Sequence, residues 1–479
     1  MKWLVLFVAI SGCLGLRGLN RKPLGSIAQY TLMNISVPID HYAPNSKNFS
    51  MRYYIRTDYY QQTKSGPIFF YCGNEGAIEM FVNNSGFIDL LAQQLDAVVV
   101  FAEHRYFGES LPFGSQSYSS NSKLKYLSPH QALADYAYLL TYLQGTYFNV
   151  PVITWGGSYG GMLSAWFRMK YPHLVTGAIA SSAPIFHFNG TVDPYLFNSI
   201  VTQHFSLMGG SECPAVIKTA FDYLVSMRYN VSTYFMLQNN FRTCQDIITS
   251  DDVFAIMNWL SNAFTYMAMV DYTSPSTFLQ PMPAYPVALA CGYITSVIEL
   301  EDAAEVFAAV VQGANVYYNY TGNQVCNNLN LTSSQGNLGD QGWDFLACTT
   351  LSMPIGSNGV TDMFWNEPWN QIAQDSYCLQ TYGEATNVNY AALWYGASNN
   401  QTHILRHASN IVFTSGSLDP WQSGSVNSNY NPNLIVFTME GGDHHSELRT
   451  PAEGDPAEVI SGRVIIKQAI QYWINGTIS

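Results

Sequence analysis

The sequence predicts an α/β fold: a mostly parallel β-sheet covered on both faces by helices, with a long helical insertion before the last strands. Three observations carry this. Short continuous apolar runs alternate with helical patterns from Gly66 onwards, the rhythm changes to longer helical stretches between about residues 189 and 400, and the strand pattern resumes at Ile411-Val412-Phe413.

Ile68-Phe69-Phe70-Tyr71 and Ala97-Val98-Val99-Val100-Phe101 read as strands buried on both faces, since neither run alternates with polar residues. Ser128-Pro129-His130-Gln131 opens a helix as a capping box, with Ser at the N-cap, Pro at N1 and Gln at N3, ahead of the stripe Leu133, Tyr136, Leu140, Leu143. Val152-Ile153-Thr154 is the next strand, 162–171 the next helix and Gly177-Ala178-Ile179-Ala180 the strand after it. The insertion contains helices over 214–227 and 253–269. After Leu434-Ile435-Val436-Phe437 comes a last helix with Asp455 as N-cap, Pro456 at N1 and Glu458 at N3, and with Val459, Ile460, Val464, Ile466 and Ile470 as its apolar positions.

The expected organisation is a leader at 1–18, one domain built from 19–188 and 401–479, and a helical cap at 189–400. Met1-Lys2 followed by the apolar stretch Trp3 to Leu16 is too short for a comfortable bilayer span and reads as a secretory signal, cut between about Gly12 and Gly18. No later segment offers about 20 uninterrupted apolar residues, so no stable membrane anchor is expected.

The chain has 479 residues, 20 Lys+Arg against 33 Asp+Glu, and only 11% charged residues. A net charge of -13 excludes nucleic-acid binding by phosphate neutralisation, and 48% apolar residues supply a sizeable core. Sequons at Asn34, Asn48, Asn83, Asn189, Asn230, Asn319, Asn330, Asn400 and Asn475 suggest that glycans, more than ion pairs, solubilise this surface. With Cys13 in the leader, seven cysteines remain. Cys72 lies alone in a strand-like run as a buried free thiol, and the six between 213 and 378 can form three bridges. Nothing in the sequence calls for a metal or another cofactor.

Gly156-Gly157-Ser158-Tyr159-Gly160-Gly161 stands between a strand and a helix, the context in which G-x-S-x-G forms a nucleophile elbow. A serine hydroxyl needs a base and a group to orient that base, in the order Ser, Asp/Glu, His. Asp419, in Leu418-Asp419-Pro420-Trp421, follows the strand at Ile411, and His444-His445 follow the strand at Leu434. Spacing alone does not say which histidine is the base. Glu103-His104-Arg105 reads as a buried ion-pair network at the site's edge, and Ser181-Ser182 lacks an elbow's glycines.

From about Asp40 to the C-terminal helix the chain resembles the serine peptidase family containing prolyl (Pro-Xaa) carboxypeptidase and dipeptidyl peptidase II. The motifs are Gly73-Asn74-Glu75-Gly76, Phe101 to Gly108, Gly156 to Gly161, Leu418 to Trp421 and His444-His445. The resemblance implies an α/β-hydrolase fold with a helical, disulfide-stapled cap, and a triad of Ser158, Asp419 and the first histidine, His444. It implies the pairs Cys213 with Cys291, Cys244 with Cys326 and Cys348 with Cys378, and a proline pocket lined by Met162, Met353 and Trp421. His445 and Arg449 are implied to steady the base. One departure is Asp443, where the family usually has a small residue; a carboxylate there is expected to raise the pKa of the base.

The expected mechanism is an acyl-enzyme route with the oxyanion met by the NH of Tyr159 and an NH of the Asn74 loop. In an acidic compartment the base has to be neutral, which calls for a pKa below about 6.5. Partners are peptide substrates, with a homodimer left open, and the location is lysosome-like or extracellular. Glu75 is a candidate for a substrate's N-terminal ammonium, His445 or Arg449 for a C-terminal carboxylate. The wording of Asn83 to Phe87 and Ser357 to Phe364 favours the dipeptidyl aminopeptidase over the carboxypeptidase. A carboxylester hydrolase uses the same fold and triad; a catalytically dead binding module would have lost a triad member, and all three are present.

Overall fold

The computed structural model describes residues 26–60, 65–147, 150–297, 300–330, 339–397 and 402–476. The leader and the sequon at Asn400 lie outside the described residues. The strands are β1 (Thr31–Pro38), β2 (Asn48–Arg56), β3 (Ile68–Cys72), β4 (Val98–Ala102), β5 (Val152–Gly157), β6 (Gly177–Ser181), the minor pair β7 (Ser357–Asn358) and β8 (Asn366–Glu367), β9 (Ile411–Gly416) and β10 (Leu434–Met439).

All except the minor pair form one sheet in the order β1-β2-β4-β3-β5-β6-β9-β10. From β4 to β10 the neighbours run parallel, with Ile68 opposite Val98 on one side and Val152 on the other. Every residue of β3, β4, β5, β6 and β9 is buried. All six strands expected after Gly66 are present, and this sheet with its helices is the α/β-hydrolase fold.

Two further strands, β1 and β2, join antiparallel at the β4 edge. Sequence reasoning passed over them, although Asn48–Arg56 carries a period-two signal: Phe49, Met51 and Tyr53 are buried while Asn48 and Ser50 are exposed.

Successive residues feed two separate cores. Phe69, Tyr71, Phe101 and Trp155 point into one; Ile68, Phe70, Val100 and Val152 point into the other. The first core continues into the insertion through Phe205, Trp259 and Phe264, so the cap shares packed side chains with the sheet it covers. Between β6 and β9 the insertion is mainly helical, including Leu196–Gly209, Glu212–Met227, Ser250–Met269 and Ala303–Tyr318. The disulfides are Cys213–Cys291, Cys244–Cys326 and Cys348–Cys378, and Cys72 is a buried free thiol whose pKa burial pushes up.

Two helix starts differ from expectation. Ser128 does stand at the N-cap of Pro129–Gln144, but its side chain caps nothing. Gln131 turns away to donate to Asp40 (2.8 Å) and accept from the His41 NH (3.1 Å), so a tertiary contact replaces the capping box. The last helix runs Ala457–Asn475 with Pro456, not Asp455, at its N-cap. The Asp455 carboxylate instead binds Arg463 (2.5 Å) and the Ala452 NH (2.9 Å). Its apolar face is narrower than the composition suggests, because Val459, Ile466 and Ile470 are buried while Ile460 and Val464 are half exposed on the other side.

Of the described sequon asparagines, Asn34, Asn48, Asn83, Asn189, Asn230, Asn330 and Asn475 are exposed. Asn319 is partly buried, with both side-chain atoms bonded to the Gln324 backbone. Among the described residues no helix is long and apolar enough to cross a membrane.

Candidate active site

β5 ends at Gly157, and the next residue, Ser158, turns through φ 58°, ψ -129° before the helix Tyr159–Lys170 begins. A non-glycine residue in that region is strained and held there by its surroundings. Ser158 NH donates to Ser181 O (3.0 Å), and its carbonyl accepts from Met162 NH (3.0 Å). The glycines are required by contact: a Cβ on Gly156 would lie 2.0 Å from Gly160 O, and one on Gly160 would lie 2.7 Å from Cys72 O. Gly157 leaves room for the His445 ring, 2.8 Å from where its Cβ would stand.

Asp419 caps a short 3₁₀ turn, Pro420–Gly424, and Oδ1 accepts from Trp421 NH (3.0 Å). Its Oδ2 lies 2.8 Å from His444 Nδ1, with both side chains fully buried. The carboxylate therefore fixes the tautomer with Nδ1 protonated and Nε2 free to accept a proton. The loop bearing His444 is pinned from the cap at both ends of the residue: its NH donates to Met269 O (3.1 Å), and its carbonyl accepts from Tyr272 OH (3.1 Å).

Tyr159, whose NH heads the helix after the serine, is held by its side chain. His104 is neutral in the fold, because burial lowers it to about 4, and its Nδ1 bonds Arg105 O (2.7 Å). Its Nε2 is then the acceptor for Tyr159 OH (3.1 Å). The flanking pairs Glu103–Arg52 (2.5 Å) and Arg105–Asp135 (2.6 Å) are the expected buried network. Opposite, Asn74 is buried; its Nδ2 donates to Glu75 Oε2 (2.8 Å), and Tyr136 OH holds Gly73 O (2.6 Å). Two backbone-supported loops thus flank the serine, which is the arrangement an oxyanion needs.

A cleft opens on Ser158. Met162, Met353 and Trp421 line it as expected, and so do Pro184, Tyr266 and Trp343, which sequence reasoning missed. The charged residues of the lining are Glu75 and Asp340, both acidic; Asp340, in the insertion, carried no motif to announce it. Burial pushes the Glu75 carboxyl up, against the bond from Asn74 and the nearby His444.

His445 and Arg449, the candidates for a substrate carboxylate, are not among the residues that line this cleft. His445 is buried against Phe278, its rings 5.2 Å apart, and burial with the neighbouring His444 holds it well below the ordinary histidine pKa. Its NH donates to Ser182 Oγ (2.8 Å). Arg449 stacks 3.9 Å over the ring of Tyr272, the residue that holds the His444 carbonyl. Asp443 also departs from expectation. Burial raises its carboxyl to about 8, so at acid pH it is neutral and places no anion beside the base.

A serine on a strained elbow and a buried Asp–His pair on two later strand ends are the marks of the serine hydrolases within this fold. The family model for serine carboxypeptidase S28 matches residues 37–466, and the chain belongs to that family of serine peptidases. The lysosomal Pro-X carboxypeptidase of Homo sapiens is 39% identical over 460 residues, covering 95% of this chain and 90% of that one. That of Bos taurus is 40% identical over 451 residues, covering 93% and 88%. A Caenorhabditis elegans prolyl carboxy peptidase like protein 5 is 37% identical over 469 residues, covering 92% and 89%. Among solved structures, the proline iminopeptidase of Mycobacterium smegmatis covers 93% of this chain and 100% of its own at 12% identity, with a TM-score of 0.42.

Proposed function

We propose that the protein is a Pro-Xaa-type serine carboxypeptidase. Ser158 attacks the carbonyl of a penultimate proline, His444 takes the serine proton and later returns it to the leaving amine, and Asp419 orients His444 and stabilises its cation. The NH groups of Tyr159 and Asn74 meet the oxyanion. The observation that carries the chemistry is the buried 2.8 Å Asp419–His444 contact on strand ends beside the elbow. Cleavage at the carboxyl end is supported by the relatives named above. Their full-length identity outweighs the short stretches at 83–87 and 357–364 that leaned towards a dipeptidyl aminopeptidase.

Met162, Met353 and Trp421 form an apolar wall on which a flat proline ring can pack. Glu75 suits a carboxypeptidase in acid: a neutral carboxyl donates a hydrogen bond to a substrate carboxylate, whereas an ionised one would repel it. The likeness to lysosomal Pro-X carboxypeptidases supports a lysosome-like compartment, where that protonation state is favoured.

The acidic lining favours a second reading. Glu75 and Asp340, if ionised, would hold the ammonium of a free N-terminus, as a dipeptidyl aminopeptidase requires. Two peptides decide at acid pH, with Ser158→Ala as control. One has an acetylated N-terminus and a free C-terminal residue after Pro; the other has a free N-terminus, Pro second and a blocked C-terminus. Cleavage of the first alone establishes the carboxypeptidase, of the second alone the aminopeptidase. Turnover of short acyl esters with neither peptide would point to an ester hydrolase.

A further inference from the structure

Behind the Asp–His pair lies a buried group of side chains that the mechanism above does not use. His204, on the cap helix Leu196–Gly209, is fully buried, with Nδ1 3.2 Å from Leu418 O and Nε2 3.1 Å from Asp271 Oδ2. Asp271 Oδ1 accepts from Val287 NH (2.8 Å), which anchors it within the cap. Asp443 Oδ1 stands 4.0 Å from His204 Nε2, buried and, among the described residues, without a hydrogen-bond partner. Leu418 precedes Asp419, and Asp443 precedes His444. One cap histidine therefore reaches both loops that present the pair.

Both nitrogens of His204 face acceptors, a carbonyl and a carboxylate, and a neutral ring can donate from only one of them. With Asp271 ionised, the geometry therefore calls for an imidazolium. Burial opposes that charge, but the hydrogen bond to Asp271 acts against burial and the His204 pKa is raised.

We propose that His204 is a positioning residue for the catalytic pair: as an imidazolium shared between Leu418 O and Asp271, with Asp443 beside it, it locks the Asp419 loop and the His444 loop to the cap. The groups facing it and Asp443 are Asp271, Asp419, Arg449 and Tyr272. Burial pushes the Asp271 carboxyl up as well, against its bonds from His204 and Val287 NH. Because the His204 and Asp443 pKa values lie above their ordinary ones, the lock is present in acid and is lost as pH rises, Asp443 ionising near about 8. Loss of a proton leaves unbalanced negative charge under the catalytic loops.

The inference rests on the triad reading but not on peptide specificity, so its test uses a fluorophosphonate probe on the full chain. The labelling rate of Ser158 is measured from acid to alkaline pH in wild type, His204→Gln and Asp443→Asn, together with kcat and KM on whichever prolyl peptide is cleaved. The expected result is labelling slowed on the order of tenfold in His204→Gln, equal to about 1.4 kcal/mol, with kcat falling and KM held. In Asp443→Asn the alkaline limb moves up by about one pH unit, because an amide cannot ionise. Labelling of His204→Gln at the wild-type rate, or an unmoved alkaline limb in Asp443→Asn, would overturn the proposal. If His204→Gln does not fold, the Asp443→Asn profile decides alone. Failure of wild-type Ser158 to label would reject the triad reading and this inference with it.

Discussion

Gly416 and Gly442 meet backbone to backbone: a Cβ on Gly416 would lie 2.0 Å from Gly442 O. Around this contact Leu418 NH donates to Gly442 O (3.0 Å) and Ser417 NH to Met439 O (2.9 Å), so the loops after β9 and β10 are joined before either catalytic side chain is placed. Gly416→Ala is expected to force these loops apart, lowering stability by about 3 kcal/mol and kcat by at least tenfold. Urea unfolding together with peptide turnover checks both numbers.

Ser158→Ala should abolish fluorophosphonate labelling while leaving the fold intact. Asp419→Asn is the sharper variant. The amide can present NH₂ to His444 Nδ1, favouring the tautomer in which Nε2 carries the proton, and kcat should fall by about 10⁴. Retention of more than a tenth of wild-type kcat would remove Asp419 from the role assigned to it.

Glu75 gives a pH prediction. Its raised pKa means that a rise in pH through it turns a hydrogen-bond donor into an anion facing the substrate carboxylate. For a carboxypeptidase substrate KM should therefore climb as pH rises, and Glu75→Gln, which keeps a donor and cannot ionise, should flatten that climb. For an aminopeptidase substrate the slope has the opposite sign.

Arg105 and Asp135 form a fully buried pair at 2.6 Å, and Arg105 also donates to Ile39 O (2.7 Å). Arg105→Ala leaves Asp135 buried with, among the described residues, His41 as its remaining charged partner, and should destabilise the protein by about 3–5 kcal/mol in chemical denaturation. An activity loss without a stability loss would place Arg105 in the chemistry instead.

The parallel strands were legible because buried strands are continuous apolar runs, and β3, β4, β5, β6 and β9 are buried on both faces. β1 and β2 were not, since the edge strand β1 is mostly exposed and the alternation in β2 is interrupted at the adjacent buried pair Tyr53 and Tyr54. The helix start at Ser128 held, but its capping box did not form because Gln131 bonds Asp40, and Asp455 is not the last helix's N-cap because its carboxylate binds Arg463 and Thr273. Among site residues, Ser158 was announced by its glycines and Asp419 and His444 by their place after strands. Pro184, Tyr266, Trp343 and Asp340 come from loops and the cap, and nothing in their local sequence marks them as neighbours of the serine.

The sequence by itself determined what is local: the strand–glycine–serine–glycine–helix turn, the order Ser, Asp, His, and the alternation that builds a parallel sheet. Such features depend on backbone sterics and on contacts within a few residues. Only the tertiary structure decided that His445 and Arg449 are not among the cleft's lining residues, that Asp443 is buried with its carboxyl pKa raised, and that His204 lies against Leu418 and within 4.0 Å of Asp443. Each of these depends on burial and on charges brought together from positions as far apart as 204 and 443, which no local pattern encodes.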